Sequence, residues 1–285
     1  MTSPLLAKSS WKQAARPPIQ PGAALTIGLV LIGLVAAAAI FAPFLTPFDP
    51  LRGDSSALQA PQSEHPMGTD NLGRDVFSQV VYGLRSSLLV GVAASAISLI
   101  VGSIVGSVAG YVGGTTDTAL MRFTEIVQVV PRIFLVILTV ALFGQNLWVT
   151  TAAIGLTSWP PLARLLRAEF LARKESEYVA AARVMGCSPV WIIFREILPN
   201  AVSPLIVTTA LNVATAVLLE ASLSFLGLSD PNVASLGRIL QSSIGFISVA
   251  WWMSVFPGIM IALIALAMNL IGEGVEKSFM KRRVS

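Results

Sequence analysis

From Gly22 to Leu45, and again from Ser86 to Thr116, the chain carries no charged side chain. Each run is longer than the roughly 20 residues a helix needs to cross the hydrocarbon of a bilayer. Inside lipid a backbone N–H or C=O finds no water, so a crossing segment must satisfy those groups within itself, and a helix does so. The rest of the chain agrees with that constraint. Its residues are 54% hydrophobic and 12% charged, with a mean hydropathy of +0.76, which excludes an ordinary soluble domain. The expected fold class is an all-α membrane protein with six transmembrane helices.

The expected organisation runs as follows. Residues 1–21 are a polar N-terminal segment holding Lys8, Lys12 and Arg16. A basic start before an apolar run is shared with signal peptides, but the 22–45 run is longer than a signal core and reads as a retained first helix. A polar loop follows over 46–82, and a core of five further spans over 83–272. The second span lies within 86–116. The third, Ala119 to Phe143, is interrupted by Pro131 and carries Glu125 and Arg132; the fourth is about Leu147 to Leu166. The fifth is Ala201 to Leu219. The sixth, Val249 to Gly272, has Trp251 and Trp252 as interface aromatics at its entry. Residues 273–285 form a tail.

Six spans place both termini on one side. Arg52, Arg74, Arg85 and Arg238 fall on the opposite side and Arg132 inside a span; every other Lys and Arg shares the side of the termini. The positive-inside bias makes that side cytoplasmic. The net charge of +4 is therefore a signal of topology and not of nucleic-acid binding. A single cysteine, Cys187, excludes an internal disulfide and a multi-cysteine metal site.

Ala94, Ser98, Gly102, Gly106 and Gly110 recur every four residues in the second span. Small side chains at that spacing lie on one helix face and admit another helix closely, so these five are candidate helix-packing positions. The loop 171–200 is the polar island of the second half. Ser176 is a candidate N-cap for a helix starting at Glu177, and Gly186 supplies a stop. Ser188 and Pro189 open a second helix with cap and N1 proline in the preferred order, and Pro199 ends it. Val190, Ile193, Phe194, Ile197 and Leu198 give that second helix one apolar face. Two short helices joined by a turn also describe a DNA-reading element. That reading fails because the second helix carries Trp, Ile and Phe where base contacts need Arg, Asn or Gln.

Arg132 draws attention by its depth. Ten residues of continuous helix after Arg122, at about 1.5 Å each, place it roughly 15 Å into the third span, near mid-membrane. Arginine there costs roughly 2.5–3.5 kcal/mol on insertion scales. Snorkelling, a partner such as Glu125 two turns earlier, or a water-filled pathway would each offset that. The pathway is the expectation, ahead of a salt bridge or carbonyl contact to a neighbouring subunit, since Pro131 frees a carbonyl and such breaks are tolerated where backbone lines a cavity. His65 sits near several carboxylates, but with no second histidine in the chain a hydrogen-bonded structural loop is the preferred reading over a metal site.

Several stretches carry a resemblance. Ala181-Ala182, Gly186 and Ile197-Leu198-Pro199 look like the cytoplasmic "EAA" loop of permease subunits of bacterial ABC importers. His65-Pro66-Met67-Gly68-Thr69-Asp70-Asn71-Leu72-Gly73-Arg74-Asp75 matches the HPxGTDxxGRD signature of the dipeptide/oligopeptide/nickel branch of that family. Glu220 to Leu228, EASLSFLGL, matches the same branch, and Asn269 with Gly272 fits its closing motif. Two departures stand out. Ala180 occupies the position where the loop usually has glutamate, with Glu177 on a neighbouring helical face, and the tail after Gly272 lacks the usual ending.

The resemblance implies a type I ABC importer permease fold with both termini cytoplasmic, in a bacterial inner membrane. It implies assembly with a homologous permease as a heterodimer, with two ATP-binding subunits and with an extracytoplasmic substrate-binding protein. Glu177, Tyr178, Ala181, Ala182, Gly186 and Pro199 are then the candidate ATPase-coupling residues, and Arg132 the candidate translocation-pathway residue. No cofactor is expected in this chain, ATP and Mg being bound by the partner ATPases. That division of labour agrees with the residues: there is no Walker A motif and no nucleophile–base constellation, so no catalysis is expected here. Peptide is the expected substrate, with nickel chelates or another small solute as the alternative. An ion-gradient transporter would need acidic relays at mid-membrane and inverted repeats, and neither is visible.

Overall fold

The computed structural model describes residues 21–284, and among these it is helical with a single isolated β-bridge, Thr69–Asp75. The polar stretch with Lys8, Lys12 and Arg16 lies outside the described residues. Helix α1 spans Pro21–Ile40 and is followed by one short turn, α2, Ala42–Leu45. A loop over 46–75 leads into α3, Val76–Val112. Helices α4, Gly114–Val129, and α5, Arg132–Phe143, come next, then α6, Leu147–Ser158, and α7, Pro160–Arg173. The 171–200 loop contains α8, Glu177–Val184, α9, Pro189–Trp191, and a π-helical turn, Ile192–Ile197. Helix α10, Leu198–Phe225, the short α11, Leu236–Ser243, and α12, Trp252–Val284, complete the chain.

Among the described residues, four helices are long and apolar enough to cross a membrane: α1, α3, α10 and α12. The expected third span is broken. Helices α4 and α5 meet at 79°, and they make a fifth crossing only if the bent pair counts as one. The corner lies at Val130 and Pro131, both extended, as expected where a proline disfavours helix in the residue before it. The expected fourth span falls on α6 and α7, which meet end to end at Trp159, whose backbone stays right-handed helical; neither is among the helices long and apolar enough to cross.

Several polar side chains inside the spans return their hydrogen bonds to their own helix. Thr26, Thr139, Thr151, Thr208, Thr215 and Ser222 each donate to the carbonyl four residues earlier. Glu220, placed by charge at the end of the fifth span, lies inside α10 instead. Its carboxylate is 3% exposed and accepts from the hydroxyls of Ser87, Ser224 and Ser235. Three charge-directed donors are what allow α10 to run on through an acidic residue.

Helix α3 is the central column, with α6, α7 and α10 packed along it, while α1 lies along α12. The small-residue stripe faces this chain's own α6 and α7. Ser98 Oγ donates to the Gly155 carbonyl at 3.0 Å. A Cβ on Gly102 would come within 2.7 Å of the Leu162 Cβ, and one on Gly110 within 2.5 Å of the Phe170 Cβ. Gly106 lies against the backbone of Ala163, and Ala94 against Gly155. The α1–α12 contact is similarly close. A Cβ on Gly28 would meet the Ala267 carbonyl at 2.9 Å, and one on Gly274 the backbone nitrogen of Leu25 at 2.6 Å.

Candidate functional site

The 171–200 loop is built by capping rules and then bent by a π turn. Ser176 has the extended backbone of an N-cap, but its hydroxyl donates back to Arg173 instead of accepting from α8. At the far end of α8, Gly186 has φ +79°, its N–H donates to the Arg183 carbonyl, and the Cys187 N–H donates to Ala182. Those two bonds make a Schellman stop, which needs a left-handed residue at that one position. Ser188 Oγ accepts from the Trp191 N–H, and Pro189 fills N1.

Pro199 does not end the second helix. The π turn Ile192–Ile197 intervenes and the chain continues straight into α10, with Pro199 in its first turn. The wider i→i+5 turn resets the hydrogen-bond register: the Leu198 N–H donates to Ile193, five residues back. Proline's missing donor and bulky ring are tolerated at a helix start. The same extra residue splits the expected apolar face. Ile192 and Ile197 turn inward, whereas Val190 and Phe194 are exposed.

Of the six candidate ATPase-coupling residues, Glu177, Tyr178, Ala181, Gly186 and Pro199 are exposed. Ala182 is not: it is 1% exposed and packs with Val179, Ile192 and Ile197 against Leu162, Leu166 and Phe170 of α7. It holds the loop to the body, so its part in coupling runs through packing and not through an exposed surface. Arg183 lies over the Tyr111 ring, 5.8 Å from its centroid, tying α8 to the end of α3.

The outward surface holds residues that motif matching passed over. Val184 is 90% exposed, and Met185, Val190, Trp191 and Phe194 are exposed as well, apolar side chains on a charged loop. Apolar residues inside an otherwise polar segment were the available signal.

Arg132 stands at the first position of α5, immediately after the corner, half-buried and with no ion pair among the described residues. The depth counted along a continuous helix is corrected by the 79° bend, since the helix rise no longer adds along one axis. Glu125 is not its partner; it pairs with Arg122 at 3.3 Å on the exposed face of α4. Exposed Val129, Val130, Phe134 and Leu138 flank the corner.

The 46–75 loop is closed on itself. His65 Nδ1 lies 2.9 Å from Asp75 Oδ1, both side chains buried, while Asp75 Oδ2 accepts from the Ser78 N–H and hydroxyl. Asp70 accepts from the N–H groups of Leu72 and Arg74 and from Gln79 Nε2. Trp252 Nε1 donates to the Thr69 carbonyl and pins the loop to α12. This is a structural loop, and no group of three or more His, Cys, Asp or Glu among the described residues is placed to hold a metal.

Residues 102–284 match the binding-protein-dependent transport system inner membrane component family. A dipeptide transport system permease protein, DppC, from Haemophilus influenzae is 35% identical over 258 residues, covering 88% of each chain. DppC from Alkalihalophilus pseudofirmus is 38% identical, covering 95% of this chain and 89% of its own length. The oligopeptide transport system permease protein OppC of Bacillus subtilis is 35% identical, covering 88% of this chain and 83% of its own. Among solved structures, an inward-facing form of the MetNI methionine ABC transporter matches with a TM-score of 0.56 at 21% identity. It covers 69% of this chain and 96% of that one, and it shows the shared permease fold.

Proposed function

Since the chain belongs to the binding-protein-dependent transport system inner membrane component family, we propose that it forms half of the translocation pathway of an ATP-driven importer of dipeptides or oligopeptides. The pathway is completed by a homologous permease, two ATPase subunits bind ATP and Mg and carry out hydrolysis, and a substrate-binding protein delivers the peptide. The assembly sits in a bacterial inner membrane with the 171–200 loop and both termini in the cytoplasm. Peptide is favoured by the relatives' names, DppC and OppC, at 35–38% identity.

The observation that carries this reading is the 177–200 loop: a rigid, internally capped base that presents Val184, Met185, Val190 and Phe194 outward. ATP-driven closure of the ATPase pair moves whatever is docked there. The loop then carries α7 and the helices packed on it, and the two permeases rock between inward- and outward-facing states. Arg132, beside the α4–α5 corner, faces the pathway and attracts a peptide carboxylate.

The test is uptake of labelled di- and oligopeptides into vesicles holding the full importer, with the membrane potential clamped. Uptake that requires ATP supports the reading, and uptake that follows an ion gradient without ATP overturns it. Arg132→Ala lowers peptide uptake while the four-subunit assembly still co-purifies; unchanged uptake removes Arg132 from the pathway. The ligand carried by the cognate binding protein, identified by mass spectrometry, decides between peptide and another solute.

A further inference from the structure

Helix α4 is held to the rest of the chain at few points. Of its 16 residues only Thr124 is buried. It begins at Gly113–Gly114, where φ is +72° and +58°, and a Cβ on Gly114 would touch nothing, so packing does not lock this joint. Two side-chain contacts reach from α4 to the α6–α7 rod. Asp117 and Arg167, 50 residues apart, make a two-pronged ion pair, Nε to Oδ1 at 2.5 Å and Nη2 to Oδ2 at 2.6 Å. Six residues along, the Phe123 ring stacks on Trp159 with centroids 5.9 Å apart and planes 19° from parallel.

Helix α7 is the opposite case. Gly102, Gly106 and Gly110 bring α3 against its backbone, and Leu162, Leu166 and Phe170 are buried with Val179 and Ala182 of α8. Its last residue, Arg173, precedes α8 by a turn of three residues. Any displacement of α8 is therefore passed to α7. Between α7 and α4 the side-chain contacts that carry it are Asp117–Arg167 and, at the head of α7, Phe123–Trp159. The other end of α4 is the 79° corner beside Arg132.

We propose that Asp117 and Arg167 are positioning residues for transport: their pair makes α4 turn with α7, so that movement of the docked loop sets the corner at Val130–Arg132. This rests on the reading of the 171–200 loop as the ATPase-docking element. A planar guanidinium gripping both carboxylate oxygens fixes orientation as well as distance, which a point charge does not. The pair thus acts as a strut across a joint that glycine leaves loose. Lys at position 167 keeps the charge and loses the orientation.

The experiment uses the complete importer in vesicles, measuring peptide uptake and binding-protein-stimulated ATP hydrolysis on the same preparation. Asp117→Asn and Arg167→Lys should assemble and hydrolyse ATP, with peptide delivered per ATP lower by roughly fivefold or more, the lower end of typical coupling between sites. The exchanged pair, Asp117→Arg with Arg167→Asp, should recover most of the wild-type ratio. A ratio unchanged in Asp117→Asn, or uptake and hydrolysis falling in equal proportion, overturns the strut. So does an exchanged pair that assembles without recovering the ratio. Failure of the docking reading shows separately, as a wild-type chain that binds no ATPase subunit.

Discussion

The loop before α3 and the loop between α7 and α10 treat their surroundings in opposite ways. In the first, the carboxylates of Asp70 and Asp75 each take three hydrogen bonds from the loop itself and from the first turn of α3, and Trp252 donates to the Thr69 carbonyl. In the second, Gly186 and Ser188 close the turn between the helices, yet Val184, Met185, Val190 and Phe194 are exposed. A buried polar network contributes through completeness, because each orphaned group costs about 1–3 kcal/mol. An exposed apolar patch contributes nothing to the lone chain and gains its value only when a partner covers it. Closed polar loops therefore report on folding, and open apolar ones on assembly.

Breaking the closed loop should have the largest effect. Asp75→Ala strands the His65 Nδ1, the Ser78 N–H and its hydroxyl, and we expect a stability loss of about 3 kcal/mol or more. Thermal unfolding of the purified chain in detergent measures it; an unshifted midpoint would make the loop a dispensable cover. The open loop should behave in the reverse sense. Phe194→Asp should leave the unfolding midpoint within about 0.5 kcal/mol of wild type. The same variant should weaken ATPase binding about tenfold, the effect of losing about 1.4 kcal/mol at one interface anchor. Equal affinity would place the docking surface elsewhere.

A smaller effect is expected at Gly186. Valine there meets no neighbour, so its penalty is the left-handed backbone alone, roughly 1–2 kcal/mol. Gly186→Val should insert normally and loosen the ATPase several-fold, while Gly186→Asn, tolerant of that backbone, should stay near wild type. Indistinguishable valine and asparagine variants would show that the Schellman turn does not set the loop's docking pose. The smallest effect belongs to Glu177, an exposed carboxylate at the start of α8. Glu177→Gln should change ATPase affinity about twofold, as a solvent-screened charge does. A loss as large as that of Phe194→Asp would instead make Glu177 the stand-in for the glutamate that Ala180 replaces.

What the sequence determined by itself were the features with short-range causes. Uncharged runs dictated helices, Gly186 with Ser188–Pro189 dictated a stop and a start, Pro131 dictated a break, and spacing by four put Gly102, Gly106 and Gly110 on one face. Each follows from residues within a turn or two of one another, where backbone sterics and capping decide. The tertiary structure decided what those features meet. The glycine face receives α7 of the same chain, Glu220 survives in a span because Ser87 and Ser235 arrive from 133 and 15 residues away, and Ala182 turns inward because α7 covers it. It also decided the 79° at Pro131 and the π turn that carries the chain past Pro199. A proline removes one donor and excludes some angles, but the angle adopted is chosen by the packing on either side. Long-range contact is the physical reason, since nothing local to Arg167 announces that its guanidinium closes on Asp117.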